Sequence, residues 1–110
     1  MKYFLAVDLG ATSGRTVLSS WDGQRVVMRE FTRFKNPQIP IMGHLFWNLP
    51  HLYNEIITAL RKVHEENIQL TSIGIDTWGC DFAFFGRFLF MIGFEVILDP
   101  KSDFHCISPF

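Results

Sequence analysis

The sequence has no excess of either charge. Ten Lys and Arg stand against eleven Asp and Glu, a formal net charge of −1 with a pI near 6.4. Holding nucleic acid by neutralising its phosphates needs a basic surface, and this composition does not supply one. Cysteine is scarce: Cys80 and Cys106 stand alone, with no CxxC spacing and no Cys/His pattern. That excludes a zinc module and a disulfide scaffold and reads as a reduced cytosolic pair. His44, His51, His64 and His105 are too scattered to form a ligand set. Long apolar runs are missing as well. The opening run, Tyr3 to Val7, stops at Asp8, too early for a signal peptide. The greasiest stretch, Phe82 to Leu98, is broken by Gly86, Arg87, Gly93 and Glu95, and nothing approaches the ~20 residues that cross a bilayer. There is no internal repeat and no low-complexity linker. A cytoplasmic chain, with neither nucleic acid nor membrane as partner, is the expectation.

What is present suits one small domain. Hydrophobic residues make up 48% of the 110 and charged residues 19%, enough apolar surface for a packed core and too little charge for disorder. Tyr3 to Leu9 reads as a buried strand closed by Asp8-Leu9-Gly10. Gly10-Ala11-Thr12-Ser13-Gly14 reads as a turn of small residues. Arg15 to Trp21 is β-rich, Asp22-Gly23 is a hairpin signal, and Arg25 to Phe34 gives a third strand, so the first three strands form an antiparallel meander. Asn36 to Asn48, with Pro37, Pro40 and Gly43, reads as a loop. Leu52, Ile56, Leu60 and Val63 then recur at helical spacing, with Pro50 near the start and Asn67 as a left-handed stop. Leu70 to Asp76 is a fourth strand, parallel to the first because a helix precedes it, and Cys80 to Phe85 a candidate fifth. The order β-β-β-α-β, with an acid ending strand one, is the α/β pattern of the actin-like ATPase and ribonuclease-H-like architecture, present here in part with a mixed sheet.

Two constellations carry chemistry. In the first, Asp8 ends a strand and Gly10, Ala11, Thr12, Ser13, Gly14 and Arg15 follow. A tight turn of small residues offers backbone N–H groups and the Thr12 and Ser13 hydroxyls to phosphate oxygens. Asp8 suits Mg²⁺, directly or through water, and Arg15 places a cation beside a phosphate. The plain alternative is an ordinary hairpin turn. No Gly-Lys-Ser/Thr follows, so this is not a Walker A loop. In the second, Asp76 and Asp81 flank Thr77-Trp78-Gly79-Cys80 at the end of a parallel strand, where open sheets hold ligands. An indole beside acids suits a sugar, which offers C–H faces to stack and hydroxyls to bond. The plain alternative is a structural Trp with two solvated acids.

Val7 to Arg15 resembles the phosphate-loop signature of the FGGY carbohydrate kinases, in the form found in rhamnulokinases. Ser72 to Gly79, followed by Asp81-Phe82, is similar to the sugar-side motif of the same enzymes, and Arg33-Phe34, Asn36, Gly43 and Phe46-Trp47-Asn48 also match. The resemblance covers residue 3 to about 85. It implies transfer of the γ-phosphoryl group of ATP to the 1-hydroxyl of L-rhamnulose with Mg²⁺. It further implies that Ala11 to Arg15 line the ATP phosphates, that Asp8 sits at the metal, and that Trp78, Gly79 and Asp81 face the sugar. The family's proton-accepting Asp, its second domain and its adenosine pocket have no counterpart here, so the expectation is an N-terminal segment, inactive alone, with no catalytic base of its own.

After Phe85 the resemblance stops. The family's Tyr-Arg-Asp segment is missing and five of the last 25 residues are Phe. Residues 86–110 read either as the product of a shifted reading frame or as a divergent native strand pair. Three other functions compete. One is an FGGY kinase for xylulose or fuculose, which Asp76-Thr77-Trp78-Gly79 argues against. Another is a two-metal nuclease using Asp8, Asp76 and Asp81, which the neutral charge argues against. The third is a non-catalytic nucleotide- or partner-binding module.

Overall fold

Strand β1 (Lys2–Leu9) pairs with its neighbours on both edges, and its alternate residues Leu5 and Val7 are each 1% exposed. The structure, a computed structural model, describes residues 1–79. The strand expected over Cys80 to Phe85, the residue Asp81 and the tail 86–110 lie outside those residues. Strand β2 (Ser13–Trp21) runs antiparallel to β1, with Leu5 opposite Leu18 and Val7 opposite Thr16. Strand β3 (Val26–Lys35) continues the meander. The turn between them is set by Asp22, whose carboxylate accepts from the N–H groups of Gln24 at 2.8 Å and Arg25 at 2.7 Å, while Gly23 takes φ +103°. Those two N–H donors hold the Asp22 carboxyl below its ordinary 3.8.

Between Thr16 and Val17 of β2, the β3 partner steps from Thr32 to Glu30. Phe31 is the extra residue of a β-bulge, and it turns inward, 4% exposed. Beside it the hydroxyls of Thr16 and Thr32 share a hydrogen bond of 2.6 Å, which satisfies the fully buried Thr16.

The loop expected over residues 36–48 contains a small hairpin, β4 (Ile39–Ile41) against β5 (His44–Phe46). Its two central residues, Met42 and Gly43, both have positive φ, 50° and 83°, as the primed two-residue hairpin turn requires. Helix α1 (Leu49–Glu65) follows. Asn48 caps it, its side-chain oxygen accepting from the His51 N–H at 3.1 Å, with Pro50 in the first turn where its missing N–H costs little. At the far end Asn67 has φ 54°, as expected of a left-handed stop. Its N–H reaches the His64 carbonyl and the Ile68 N–H the Val63 carbonyl, the paired bonds of a Schellman motif.

The helix buries Leu52, Ala59 and Val63. Leu5, Leu18, Phe31, Ala59 and Val63 form the core, with Leu60, Ile68 and Leu70 at its margin. Each large side chain taken fully from water contributes about 1.5–3 kcal/mol. The expected face of Leu52, Ile56, Leu60 and Val63 is therefore rotated: Ala59, 0% exposed, lies at its centre, and Ile56 and Leu60 are only partly covered. A methyl group there brings helix and sheet together more closely than a leucine allows. Strand β6 (Leu70–Thr77) then returns parallel to β1, giving the order β3-β2-β1-β6. The β-β-β-α-β mixed sheet of the actin-like, ribonuclease-H-like architecture is thus present, with β4 and β5 inserted before the helix.

Candidate functional site

The connection from β1 to β2 is tighter than its sequence indicates. β1 ends at Leu9 and β2 begins at Ser13, so only Gly10, Ala11 and Thr12 turn, while Ser13 and Gly14 are strand residues paired with Lys35 and with Leu9 and Phe34. Gly14 serves packing. A Cβ on it would lie 2.3 Å from two ring atoms of Phe34, which lies across it. Gly10 serves the turn: its N–H donates to the Ser13 carbonyl at 2.9 Å, and a Cβ on it would come within 2.5 Å of that oxygen.

Asn36, 3% exposed, closes the turn from β3's end. Its backbone N–H donates to the Thr12 carbonyl at 3.0 Å and its side-chain amide to the Gly10 carbonyl at 2.9 Å. No backbone hydrogen bond among the described residues uses the N–H of Ala11 or Thr12. The Gly10 and Thr12 carbonyls are taken by Asn36 and two donors are left over, on Ala11 and Thr12, which are exposed. Such a concavity of N–H groups complements an anion.

Next to the turn, four charged residues stand in register across the sheet. Asp76 on β6 is opposite Asp8 on β1, Asp8 opposite Arg15 on β2, and Arg15 opposite Arg33 on β3. Residues in register share a face, and this is the face opposite Leu5, Val7 and the helix. Arg15 Nε donates to Asp8 Oδ2 at 3.0 Å, each side chain about half exposed. Arg33 is held by Glu30, Nε to Oε1 at 2.9 Å and Nη2 to Oε2 at 2.5 Å. That contact keeps the Glu30 carboxyl below its usual range and raises Arg33. Residues three apart on a strand ordinarily face opposite ways; the bulge at Phe31 brings this pair together.

Trp78 follows β6 two residues after Asp76 and packs on Trp47, with ring centroids 4.4 Å apart and planes tilted 38°. It is partly covered, and Gly79 beside it is exposed. The structure therefore brings Asp8, Arg15, Asp76 and the turn to one end of the sheet, with Trp78 and Gly79 following from β6. Sequence reasoning assigned no role to Asn36 or Trp47. Asn36 precedes a proline and reads as loop, and Trp47 meets Trp78 across 31 positions, a separation that no local pattern reports. Among the described residues no three His, Cys, Asp or Glu are grouped to hold a metal ion; Asp8 and Asp76 are a pair. A hollow of about 330 Å³ between Tyr3, Leu18, Arg29, Glu66 and Ile68 lies at the opposite end of the sheet, bridged by the Arg29–Glu66 ion pair. No helix among the described residues is long and apolar enough to cross a membrane.

No protein-family model matches the chain. Individual proteins do. The chain is 46% identical over 84 residues to a rhamnulokinase of Bacteroides thetaiotaomicron, a match spanning 76% of this chain and 17% of that protein. It is 47% identical over 80 residues to a rhamnulokinase of Mannheimia succiniciproducens, spanning 71% and 17%. With one of Halalkalibacterium halodurans it shares 42% over 83 residues, spanning 76% and 18%. The chain thus spans less than a fifth of the length of the curated relatives it matches.

Proposed function

We propose that this chain is the opening segment of a carbohydrate kinase of the rhamnulokinase family. The whole protein would transfer the γ-phosphoryl group of ATP to the 1-hydroxyl of L-rhamnulose, with Mg²⁺. The observation that carries the reading is the turn after β1, whose Gly10 and Thr12 carbonyls are bonded to Asn36 and whose Ala11 and Thr12 N–H groups are left over beside Asp8 and Arg15, in a chain that matches rhamnulokinases.

The residues present fit a polyphosphate. Ala11 and Thr12 offer backbone donors, Thr12 and Ser13 hydroxyls, and Arg15 a guanidinium able to exchange the Asp8 carboxylate for a phosphate oxygen. Asp8, with Asp76 in register beside it, offers hard oxygen ligands suited to Mg²⁺ or to its bound water. ATP supplies the phosphoryl group when bound, and Mg²⁺ draws charge from it. The segment's own task is to bind and orient, which is most of what phosphoryl transfer asks of a protein. Asp8 is engaged with Arg15, and neither it nor Asp76 is assigned as proton acceptor. Trp78, packed on Trp47, would face the sugar together with Gly79 and, by the sequence resemblance, Asp81, and the sequence Asp76-Thr77-Trp78-Gly79 supports L-rhamnulose over the xylulose and fuculose alternatives.

A chimera tests this. Residues 1–85 replace the matching segment of the Bacteroides thetaiotaomicron rhamnulokinase, and phosphorylation of L-rhamnulose, L-fuculose and D-xylulose is measured. The expected result is kcat/KM for L-rhamnulose within about tenfold of the parent, with the other two ketoses poorer, a change of barrier near 1.4 kcal/mol at most. A folded chimera that prefers another ketose, or binds no ATP, overturns the reading.

A further inference from the structure

The turn can hold phosphate only while its carbonyl oxygens point away from the ligand, because an oxygen dipole facing an anion repels it. Three carbonyls lie in the stretch from Gly10 to Ser13 whose bonding is fixed by the turn: Gly10, Thr12 and Ser13. Ser13's accepts from Gly10 within the turn itself. The other two are both taken by one residue 24 and 26 positions away, Asn36, at 3.0 Å through its backbone and 2.9 Å through its side chain. Asn36 is not placed there to maximise stability. Its Oδ1 is buried and has no hydrogen-bond partner among the described residues, a cost that a well-packed apolar side chain would avoid. What the amide supplies, and an apolar side chain cannot, is the N–H that turns the Gly10 carbonyl inward.

We infer that Asn36 is the positioning residue of the phosphate turn, acting through the Gly10 and Thr12 carbonyls so that both are withdrawn and the Ala11 and Thr12 N–H groups are left to the ligand. The inference rests on the reading of that turn as a phosphate site. Asn36 itself touches no phosphate.

The test uses the full 110-residue chain, isotopically labelled, with inorganic tripolyphosphate as probe. In the wild type the Ala11 and Thr12 amide protons shift downfield on titration, and couplings across the hydrogen bonds appear from the Asn36 backbone N–H to the Thr12 carbonyl and from its side-chain amide to the Gly10 carbonyl. Asn36→Asp keeps the shape but removes the donor at neutral pH; Asn36→Leu removes it without adding charge. Both should bind at least about tenfold more weakly, the scale of one lost buried hydrogen bond, with the sheet resonances unmoved. Asn36→Asp should recover as pH falls, because the protonated carboxyl donates again, and burial places that change above the ordinary ~3.9. Asn36→Leu should not recover. A purely structural role predicts instead that the sheet resonances move together with the loss of binding. Asn36→Leu binding as tightly as the wild type, or the absence of both couplings, overturns the inference. A wild type that shows the couplings but no amide shifts instead overturns the phosphate reading. The wild-type couplings remain decisive if either variant fails to fold.

Discussion

Replacing Gly14 by alanine adds one methyl group where no space exists. The new Cβ would stand 2.3 Å from both Cε2 and Cζ of Phe34. The ring has little room to retreat: Phe34 is 7% exposed and meets His51 edge-on at 6.2 Å, and His51 is in turn bonded to the Lys35 carbonyl at 2.8 Å. Forcing an extra methyl into a packed site costs about 1–3 kcal/mol. Alanine's smaller backbone entropy loss returns about 0.5–1 kcal/mol of that. The net destabilisation centres on about 1 kcal/mol, a fall in Tm of about 4–8 °C for a domain of this size. Urea melts followed by circular dichroism measure it. Phe34→Leu deletes the two clashing atoms, so the double variant should be less destabilised than the sum of the singles, by about 0.5 kcal/mol or more. A Gly14→Ala protein as stable as the wild type, or strict additivity with Phe34→Leu, would refute the packing argument.

Two further perturbations read local structure. Asn48→Ala removes the oxygen that accepts the His51 N–H and should lower stability by about 1 kcal/mol, seen as a lower urea midpoint at unchanged slope. For Asp22 the folded carboxyl is held below 3.8 by the Gln24 and Arg25 N–H groups, so its contribution is present above the unfolded value and lost as pH falls through the folded one. The stability gap between wild type and Asp22→Ala should therefore hold above about pH 5, begin to narrow near the unfolded value of 3.8 and close only below the lowered folded value in acid titrations; a gap that widens with acid would sink the argument.

The parts of the fold that announce themselves in sequence are those ruled by local physics. Asp22-Gly23, the apolar run of β1, the β-rich run of β2, and Asn67 after a helical run each act within a few residues, and each of these elements is found. The parallel return of β6 followed from chain economy, since a helix between two strands carries the chain back to the same end of the sheet. What was illegible depends on distant partners. Gly14 looks like turn punctuation until the Phe34 ring is laid across it. Ala59 carries little hydrophobic weight in a periodicity count, yet its small size puts it at the helix–sheet contact. Ile39-Pro40-Ile41 is short and holds a proline, so β4 could not be separated from loop, and Met42 is an unusual residue for φ 50°. In the candidate site, the strand that carries Asp8 and the turn after it were legible as geometry because both are local. Asn36 and Trp47 were not, because their roles exist only once the Gly10 carbonyl and the Trp78 ring arrive.

The row of charges bears on how Asp8 can belong both to an ion pair and to a metal. Arg15 lies between Asp8 and the like-charged Arg33, and the bulge at Phe31 gives Arg33 its own partner in Glu30. Arg15 keeps Asp8 as its hydrogen-bonded partner, with Glu30 near enough to feel its charge. Their contact is half exposed, and such pairs are worth about 0–1 kcal/mol, so a polyphosphate in the adjacent turn can take the guanidinium at small cost. Once Arg15 turns to phosphate, Asp8 is left beside Asp76 with no cation between them. Two carboxylates in register at the end of a sheet repel each other, and a divalent cation relieves that repulsion. On the proposed reading the ion pair would be the resting form of the site, and Asp8 would be free to hold a metal where a phosphate has taken Arg15. Magnesium should then bind this chain more tightly in the presence of tripolyphosphate than is explained by the metal affinity of tripolyphosphate itself, and Asp8→Asn should abolish the excess.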